Sequence, residues 1–188
     1  VAIDGGTIVV GATQCCDSGP GAIYVFRTSD GGATYYQVAK LTAADAATND
    51  YFGGSVAIDG DTVVVGASGD DDAGSQSGAA YVLRTSNGGA TYYQVAKLTA
   101  GDAFAYEAFG ISVAVDGDTV VVGTSGYSDS VYVFRTTDGG ATYPQVAELT
   151  GDNQFGISVA IAGNTVLIGD YVDGYGGAVY VFRTTDGV

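Results

Sequence analysis

Apolar and polar residues divide the chain into short segments that recur in a fixed order. The segment Ser55–Asp59 is followed, after the turn residues Gly60 and Asp61, by the continuous apolar run Thr62–Ala67. Short runs rich in Val and Ile that flank an Asp-Gly pair are typical of two strands joined by a tight hairpin. Because the second run is apolar throughout, it predicts a strand that is buried on both faces.

Two further strands are predicted in the same unit. Residues 79–85 alternate apolar side chains with tyrosine, and residues 94–99 mix apolar and charged side chains. The Ser-Asn-Gly-Gly segment that follows the first of them is a second hairpin signal. Polarity rises from the second strand to the fourth, so we expect the fourth strand to lie outermost, in contact with water.

This four-strand unit is repeated along the chain. Its copies begin at Val1, Val56, Val113 and Val159, with spacings of 55, 57 and 46 residues. A period of this size with several strands per unit is typical of propellers and solenoids. The sequence therefore predicts one all-β domain over residues 1–188, a β-propeller of four-stranded antiparallel blades. Its units are 1–55, 56–112, 113–158 and an incomplete unit 159–188.

The repeated motif resembles a known family. The sequence FGGSVAIDGDTVVVGA at residues 52–67, with AAYV and AKLTA further along the unit, is similar to the FG-GAP repeat, the blade unit of propellers such as the integrin alpha head. It is most similar to the variant without a calcium loop found in secreted microbial proteins. The resemblance covers the whole chain. It implies about three and a half blades of a larger propeller that usually has seven, with roles in adhesion and extracellular recognition.

Calcium is the one cofactor that the resemblance to this family suggests. Integrin-type blades often carry a DxDxDG loop between their first two strands, but here that position holds only the turn Gly60-Asp61. The acidic cluster Asp70, Asp71 and Asp72 lies in the next loop, and oxygen-rich loops suit calcium. A solvated acidic turn is the interpretation we favour, so no metal or other cofactor is expected.

The charge and the missing residue types narrow the function. The chain has 21 acidic and 6 basic residues, a net charge of −15, and no histidine. Such a surface repels nucleic-acid phosphates and anionic lipid, and no apolar run approaches the ~18 residues of a membrane helix. Without histidine there is no Ser-His-Asp nucleophile and no imidazole ligand for zinc. We therefore expect neither nucleic-acid binding, nor membrane insertion, nor enzymatic activity.

The two cysteines, Cys15 and Cys16, are adjacent in the first variable loop. Neighbouring Cα atoms lie ~3.8 Å apart, whereas disulfides usually span ~4.4 to 6.8 Å. A bond between the two would be strained, and it stays open whether they are free or paired elsewhere.

The loops between strands two and three, and between successive blades, vary, whereas the hairpins are nearly constant. The variable loops emerge on one face of a propeller, and binding residues are usually displayed on variable loops over a fixed scaffold. Tyrosines offer rigid contact area, and acids attract basic or calcium-bridged partners. The candidate ligand-binding residues are Asp70, Asp71, Asp72, Asp102, Tyr106, Glu107, Tyr127, Asp129, Tyr171 and Asp173. The alternative, that polar residues simply collect in loops, stays open.

The repeated aromatic residues are predicted to be structural. One set precedes the glycine of each FG pair and is expected to lie between blades; it comprises Phe52, Phe109 and Phe155. The other set falls in the third strand of each unit and comprises Tyr24, Tyr81, Tyr132 and Tyr180.

Three functions are consistent with these patterns. The first is a non-enzymatic recognition or adhesion module, extracellular or at the cell surface, that binds protein or glycan through the variable loops. The second is a structural subunit of an extracellular filament or surface assembly, because an unclosed propeller leaves blade edges that invite self-association. The third is a carbohydrate-active enzyme that uses paired carboxylates.

Overall fold

The computed structural model describes residues 1–13, 19–126, 129–151, 154–171 and 176–183. Across these ranges the strands form four antiparallel sheets in chain order. The first contains β1 (Ala2–Asp4), β2 (Thr7–Ala12), β3 (Ala22–Arg27) and β4 (Tyr36–Leu41). The second contains β5 (Ser55–Asp59), β6 (Thr62–Ala67), β7 (Ala79–Arg84) and β8 (Tyr93–Leu98).

The third and fourth sheets repeat this order. The third contains β9 (Ser112–Asp116), β10 (Thr119–Gly123), β11 (Ser130–Arg135) and β12 (Gln145–Thr150). The fourth contains β13 (Phe155–Ala162), β14 (Thr165–Asp170) and β15 (Ala178–Arg183), so it has three strands within the described residues. No helix in those ranges is long and apolar enough to cross a membrane.

The strand order within each sheet follows the sequence order, as predicted for a blade. Strands β5 and β6 pair from Ser55 with Gly66 to Asp59 with Thr62, which confirms the tight hairpin at the Asp-Gly pair. Every residue of β6 is buried, whereas only Leu98 of β8 is. The predicted rise in polarity from the second to the fourth strand is therefore confirmed.

Each apolar core lies between two neighbouring sheets. One core joins Val9, Ile23 and Val25 of the first sheet to Val63 and Tyr81 of the second. Two further cores join the second sheet to the third and the third to the fourth. The aromatic residues Phe52, Phe109 and Phe155 are fully buried in these three cores, which confirms their predicted place between blades.

The glycines of the repeat allow the sheets to interlock. Gly66 lies against the carbonyl oxygen of Gly110, which leads into the third sheet, and a Cβ on Gly66 would overlap that oxygen. The Ser55 hydroxyl donates a hydrogen bond to the same oxygen at 2.7 Å. The Gly of one unit thus receives the Phe-Gly pair of the next, which is why both recur at fixed positions.

The first hairpin of each unit also bonds to its neighbour. The Gly60 N–H donates to Oδ2 of Asp4 at 2.8 Å, and the Gly117 N–H donates to Oδ2 of Asp59 at 2.7 Å. The same bond joins Gly163 to Asp116. The nearly constant first hairpin therefore has a structural role, and the candidate site lies in the variable loops.

Candidate functional site

Two variable loops are joined by backbone hydrogen bonds. The loop 68–78 separates β6 from β7, and the loop 99–111 leads from the second sheet to the third. The N–H groups of Tyr106, Ala108 and Phe109 donate to the carbonyl oxygens of Ser75, Gln76 and Ser77 at 2.7, 3.0 and 3.0 Å. The loop 42–54 joins them through a 3.0 Å bond from the Gly69 N–H to the Asp50 carbonyl. We call residues 42–54, 68–78 and 99–111 the loop face.

Several residues of the loop face have left-handed backbone conformations. Tyr106 and Ala108 have φ angles of 66° and 52°, and Asn49 and Tyr51 have φ angles of 71° and 58°. A positive φ is uncommon for residues other than glycine, and such strain is found most often at functional sites. The loop-to-loop hydrogen bonds hold these conformations in place.

A lysine lies at the centre of the acidic residues of the second sheet. The Lys97 ammonium lies 2.7, 2.8 and 2.5 Å from carboxylate oxygens of Asp45, Asp70 and Asp72. It also lies 5.4 Å from the centre of the Tyr81 ring, whose hydroxyl donates to Asp70 Oδ2 at 2.8 Å. These three carboxylates are grouped closely enough to hold a metal ion, but the ammonium already occupies their centre.

The environment of this cluster shifts several pKa values. Burial opposes ionisation of Asp45, but its hydrogen bonds to Lys97 and Tyr81 outweigh this and lower its pKa. Burial also opposes the charge of Lys97, but the hydrogen bonds that its ammonium donates to Asp45, Asp70 and Asp72 outweigh burial and raise the lysine pKa. Burial raises the pKa of Asp50, and burial together with Asp70 raises that of Tyr81.

The third sheet carries a related cluster. The Tyr132 hydroxyl lies 3.0 Å from Asp102 Oδ1 and 2.9 Å from Glu107 Oε1, and Glu107 is fully buried. Burial and the Glu107 carboxylate raise the pKa of Tyr132, which therefore stays a neutral hydrogen-bond donor. The position that Lys97 holds in the second unit is held here by Glu148, whose Oε1 accepts from the Ser130 hydroxyl at 3.2 Å.

The predicted site residues separate into buried and exposed groups. Asp70 and Glu107 are buried beneath the loop face, so the solvated turn predicted around Asp70 is wrong for that side chain. The carboxylates of Asp71 and Asp72 are exposed, as are Asp102 and Tyr106. Asp71 is fixed by the Gln76 N–H, which donates to its Oδ1 at 2.6 Å.

The remaining candidates lie elsewhere. Asp129 is half-buried, has a φ of 44° and accepts a hydrogen bond from the Gln154 N–H at 2.6 Å. Tyr171 is 60 % exposed at the end of β14. Tyr127 and Asp173 lie outside the described residues, as do Cys15 and Cys16.

Sequence reasoning missed Lys97 and Asp45, and it treated the tyrosine of the third strand as scaffold alone. One signal was present in the repeat: the charged position of the fourth strand is lysine in two units and glutamate in the third. A position that changes sign while the surrounding residues stay constant indicates a local electrostatic role.

Four consecutive antiparallel meanders, packed face to face with their variable loops joined on one side, define a β-propeller. The particular family follows from the sequence. The model of the FG-GAP repeat matches residues 35–83, 92–134 and 147–182, and the chain belongs to this family. Comparison with curated protein sequences gives no significant match.

Solved structures support the fold. The chain is similar to Trypanosoma rangeli sialidase, with a TM-score of 0.51 and 17 % identity over 100 % of this chain. It is also similar to a mutant of that sialidase displaying trans-sialidase activity, with a TM-score of 0.52, 16 % identity and the same coverage of this chain. The chain spans 35 % of the length of both structures. At this identity the likeness shows the propeller fold and nothing finer.

Proposed function

We propose that this chain is a non-enzymatic recognition module of an extracellular or cell-surface protein, which binds protein or glycan through the loop face. The observation that carries the proposal is the set of three backbone hydrogen bonds between Ser75–Ser77 and Tyr106–Phe109. Because these bonds fix the two loops before a partner arrives, little conformational entropy is lost on binding.

The exposed side chains of the loop face indicate the chemistry of the partner. Asp71 and Asp72 are exposed on one loop, and Phe104 and Tyr106 are 39 % and 54 % exposed on the next. Carboxylates beside aromatic rings suit a partner with basic groups, such as lysine or arginine side chains, or a sugar face that stacks on the rings. Membership of the FG-GAP family supports the extracellular setting.

An array of glycans and extracellular proteins tests the proposal. The loop variant D71N/D72N removes two charges while each asparagine keeps an acceptor oxygen, and Y106N places there the residue found at Asn49 in the preceding loop. We expect each to weaken binding by about tenfold, the effect of losing one important interface contact.

The matched control is D30N/D138N, which removes two charges from the second hairpins. Asn87 holds the same position in the second unit and bonds the equivalent threonine: its Oδ1 accepts from the Thr91 N–H and its Nδ2 donates to the Thr91 hydroxyl, so this variant keeps the fold. Equal loss of binding in the control and the loop variant would show a nonspecific charge effect and would contradict the proposal.

The similar solved structures are sialidases, so the hypothesis that this chain is a carbohydrate-active enzyme has to be tested. Against it stands the burial of Tyr81 and Tyr132, whose hydroxyls already donate to Asp70 and Glu107 and are not presented to a substrate. Hydrolysis of sialylated and other glycan substrates by the purified chain is the direct test. We expect no turnover above the uncatalysed rate, and measurable turnover would replace the recognition proposal.

A second candidate, structural self-association, rests on apolar side chains that are exposed on β1 and β15. Ile3 of β1 is 63 % exposed, and Val179 and Val181 of β15 are 70 % and 59 % exposed. Apolar faces of this kind favour contact with another protein surface. A rise in sedimentation coefficient with concentration would support this candidate, and a monomer at all concentrations would eliminate it.

A further inference from the structure

The hairpin between β7 and β8 contains the single Asn-Gly pair of the sequence. Asn87 and Gly88 form this pair, and residues 86–88 are exposed to water. An asparagine followed by glycine is chemically labile, because glycine has no Cβ to keep its nitrogen away from the preceding side-chain carbonyl. The corresponding residues of the first and third sheets are Asp30 and Asp138. Of these three hairpins, only the second therefore carries an amide that can be lost as ammonia.

The Gly88 nitrogen, which has to attack the asparagine side chain, is accessible. Its N–H makes no hydrogen bond to any residue that the structure describes, whereas the next N–H, that of Gly89, donates to the Thr85 hydroxyl at 2.8 Å. A Cβ built on Gly88 would have Arg27 Nη1, at 4.0 Å, as its nearest neighbour. The surroundings of Gly88 are therefore open to solvent.

Two threonines hold the side-chain amide of Asn87. Its Oδ1 accepts hydrogen bonds from the Thr85 hydroxyl at 2.9 Å and from the Thr91 N–H at 3.0 Å. Its Nδ2 donates to the Thr91 hydroxyl at 2.9 Å. The amide is thus bonded through both its oxygen and its nitrogen, and these bonds have to break before its carbon can turn toward the Gly88 nitrogen. Reaction is then limited to the fraction of molecules in which the hairpin is open.

The first and third hairpins show how a carboxylate is held at this position. Asp30 Oδ1 accepts from the Thr28 hydroxyl at 2.7 Å and from the Thr34 N–H at 2.9 Å, and its Oδ2 accepts from the Thr34 hydroxyl at 2.5 Å. Asp138 makes the same three bonds in the third hairpin. The bonds from Thr34 hold the pKa of Asp30 well below its usual range. A carboxylate at position 87 would find the same donors once the Thr91 hydroxyl rotates.

From these observations we propose that Asn87 is a site of non-enzymatic deamidation by water, and that Thr85 and Thr91 set its rate. The Gly88 nitrogen gives up its proton to solvent and bonds Cγ of Asn87, and the Cγ–Nδ2 bond breaks as Nδ2 takes a proton and leaves as ammonia. Water then opens the cyclic imide, at Cγ to aspartate or at the main-chain carbonyl to isoaspartate. The net reaction consumes water, releases ammonia and involves no change of oxidation state. This proposal does not depend on the function proposed for the loop face.

Incubation of the full chain at mildly alkaline pH tests the site, with deamidation followed at each asparagine by peptide mass spectrometry. We expect Asn87 to react and the exposed Asn164, which precedes a threonine, to stay intact over the same period. In urea the three hydrogen bonds are absent, so Asn87 should react on the order of 100-fold faster than in the folded chain. Reaction at Asn164 as fast as at Asn87, or equal rates with and without urea, would overturn the proposal.

A pair of variants tests the role of the threonine hydroxyl. Thr91→Val keeps the shape of the side chain and the N–H but removes the hydroxyl that Nδ2 bonds. It should speed deamidation of Asn87 about fivefold, the range for loss of one hydrogen bond. The matched control Thr34→Val removes the equivalent hydroxyl of the first hairpin and should leave the rate at Asn87 unchanged. Equal rates in the two variants would contradict the role of Thr91.

The reaction product can also be made directly. Asn87→Asp should have the same circular dichroism spectrum and the same urea midpoint as the unmodified chain, because the first and third hairpins already hold an aspartate there. A clear fall in the urea midpoint would show that the second hairpin does not accept the product, and would contradict the match between the three hairpins.

Discussion

The second and third sheets place the same tyrosine in the same strand and satisfy its hydroxyl in different ways. In the second sheet Tyr81 donates to Asp70 from the loop after β6, and Lys97 neutralises that carboxylate. In the third sheet Tyr132 donates to acids of the preceding inter-sheet loop, Asp102 and Glu107.

The length of one side chain explains the difference. Asp50 and Glu107 hold equivalent loop positions, and each accepts a backbone bond three residues back, from Ala47 and Phe104 at 2.6 and 3.4 Å. The extra methylene lets Glu107 also reach the Tyr132 hydroxyl. Asp50 is shorter, and in the second sheet Asp70 bonds the tyrosine instead. Both sheets therefore provide a carboxylate acceptor for this tyrosine hydroxyl, and the acceptor can come from either loop.

The largest expected effect on stability comes from removing the ammonium group of Lys97. Lys97→Met leaves the buried Asp70 and its neighbours Asp45 and Asp72 without their cation, and it should lower the free energy of unfolding by about 3 kcal/mol. Glu148→Met at the equivalent exposed position should change it by less than about 0.5 kcal/mol. Urea unfolding of both variants measures the difference. Equal effects would show that Lys97 is not the organising charge.

The pH dependence of that difference follows from the pKa shifts. Asp45 has a folded pKa below its ordinary 3.8, so its stabilising contribution is present above that value and lost as the pH falls through the folded pKa. Lys97 has a folded pKa above 10.5, so its contribution is present below that value and lost as the pH rises through the folded pKa. The gap between wild type and Lys97→Met should therefore be widest between pH 5 and 10, on the order of these limits.

Removing the tyrosine hydroxyl should lower the stability by different amounts in the two clusters. Tyr132→Phe takes a donor from the fully buried Glu107 and should cost about 2 kcal/mol, whereas Tyr81→Phe should cost about 1 kcal/mol because Asp70 keeps its ion pair. Thermal and urea unfolding of the pair provide the measurement. A larger loss for Tyr81→Phe would reverse the comparison.

A smaller effect, of opposite sign, is expected at Asp50. Its folded pKa is raised by burial, so its ionised form at neutral pH is a cost to the folded state. Asp50→Asn keeps the acceptor for Ala47 and should raise the stability at pH 7 by less than about 1 kcal/mol. The gain should vanish below pH 3.8, where the unfolded carboxyl is also protonated. A gain that persists there would point to a cause other than ionisation.

The smallest effect tests whether the cluster of the third sheet can also be stabilised by a lysine, as the cluster of the second sheet is. Glu148→Lys places an ammonium near exposed Asp102, as Lys97 lies near Asp45, and should stabilise the fold by about 0.5 kcal/mol at low salt. Screening at 1 M salt should remove most of this gain. A gain unchanged by salt would exclude an ion pair as its origin.

Much of the scaffold could be predicted because it depends on local patterns. The strand from Thr62 to Ala67 and the hairpin before it agree with the structure, because apolar runs and Asp-Gly turns act within a few residues. The position of Phe52 between blades could be predicted because a large apolar residue at a fixed repeat position is expected to be buried.

The acid clusters could not be predicted in the same way. Lys97 meets Asp45 across 52 residues of sequence, and the burial of Asp70 depends on the Tyr81 hydroxyl beneath the loop. Nothing in the sequence distinguishes the acids that become buried from those that stay exposed, because all of them lie in acidic loops. Only the packing of one sheet against the next separates the buried carboxylates from the exposed ones.

The proposed recognition role requires a loop face that is rigid before any partner binds. Hydrogen exchange at the amides of Tyr106, Ala108 and Phe109 measures this rigidity, because these groups make the three bonds between the loops. We expect protection close to that of the amides in β7. Exchange as fast as that of an unstructured peptide amide would show that the loops open independently, and the loop face would then not be rigid.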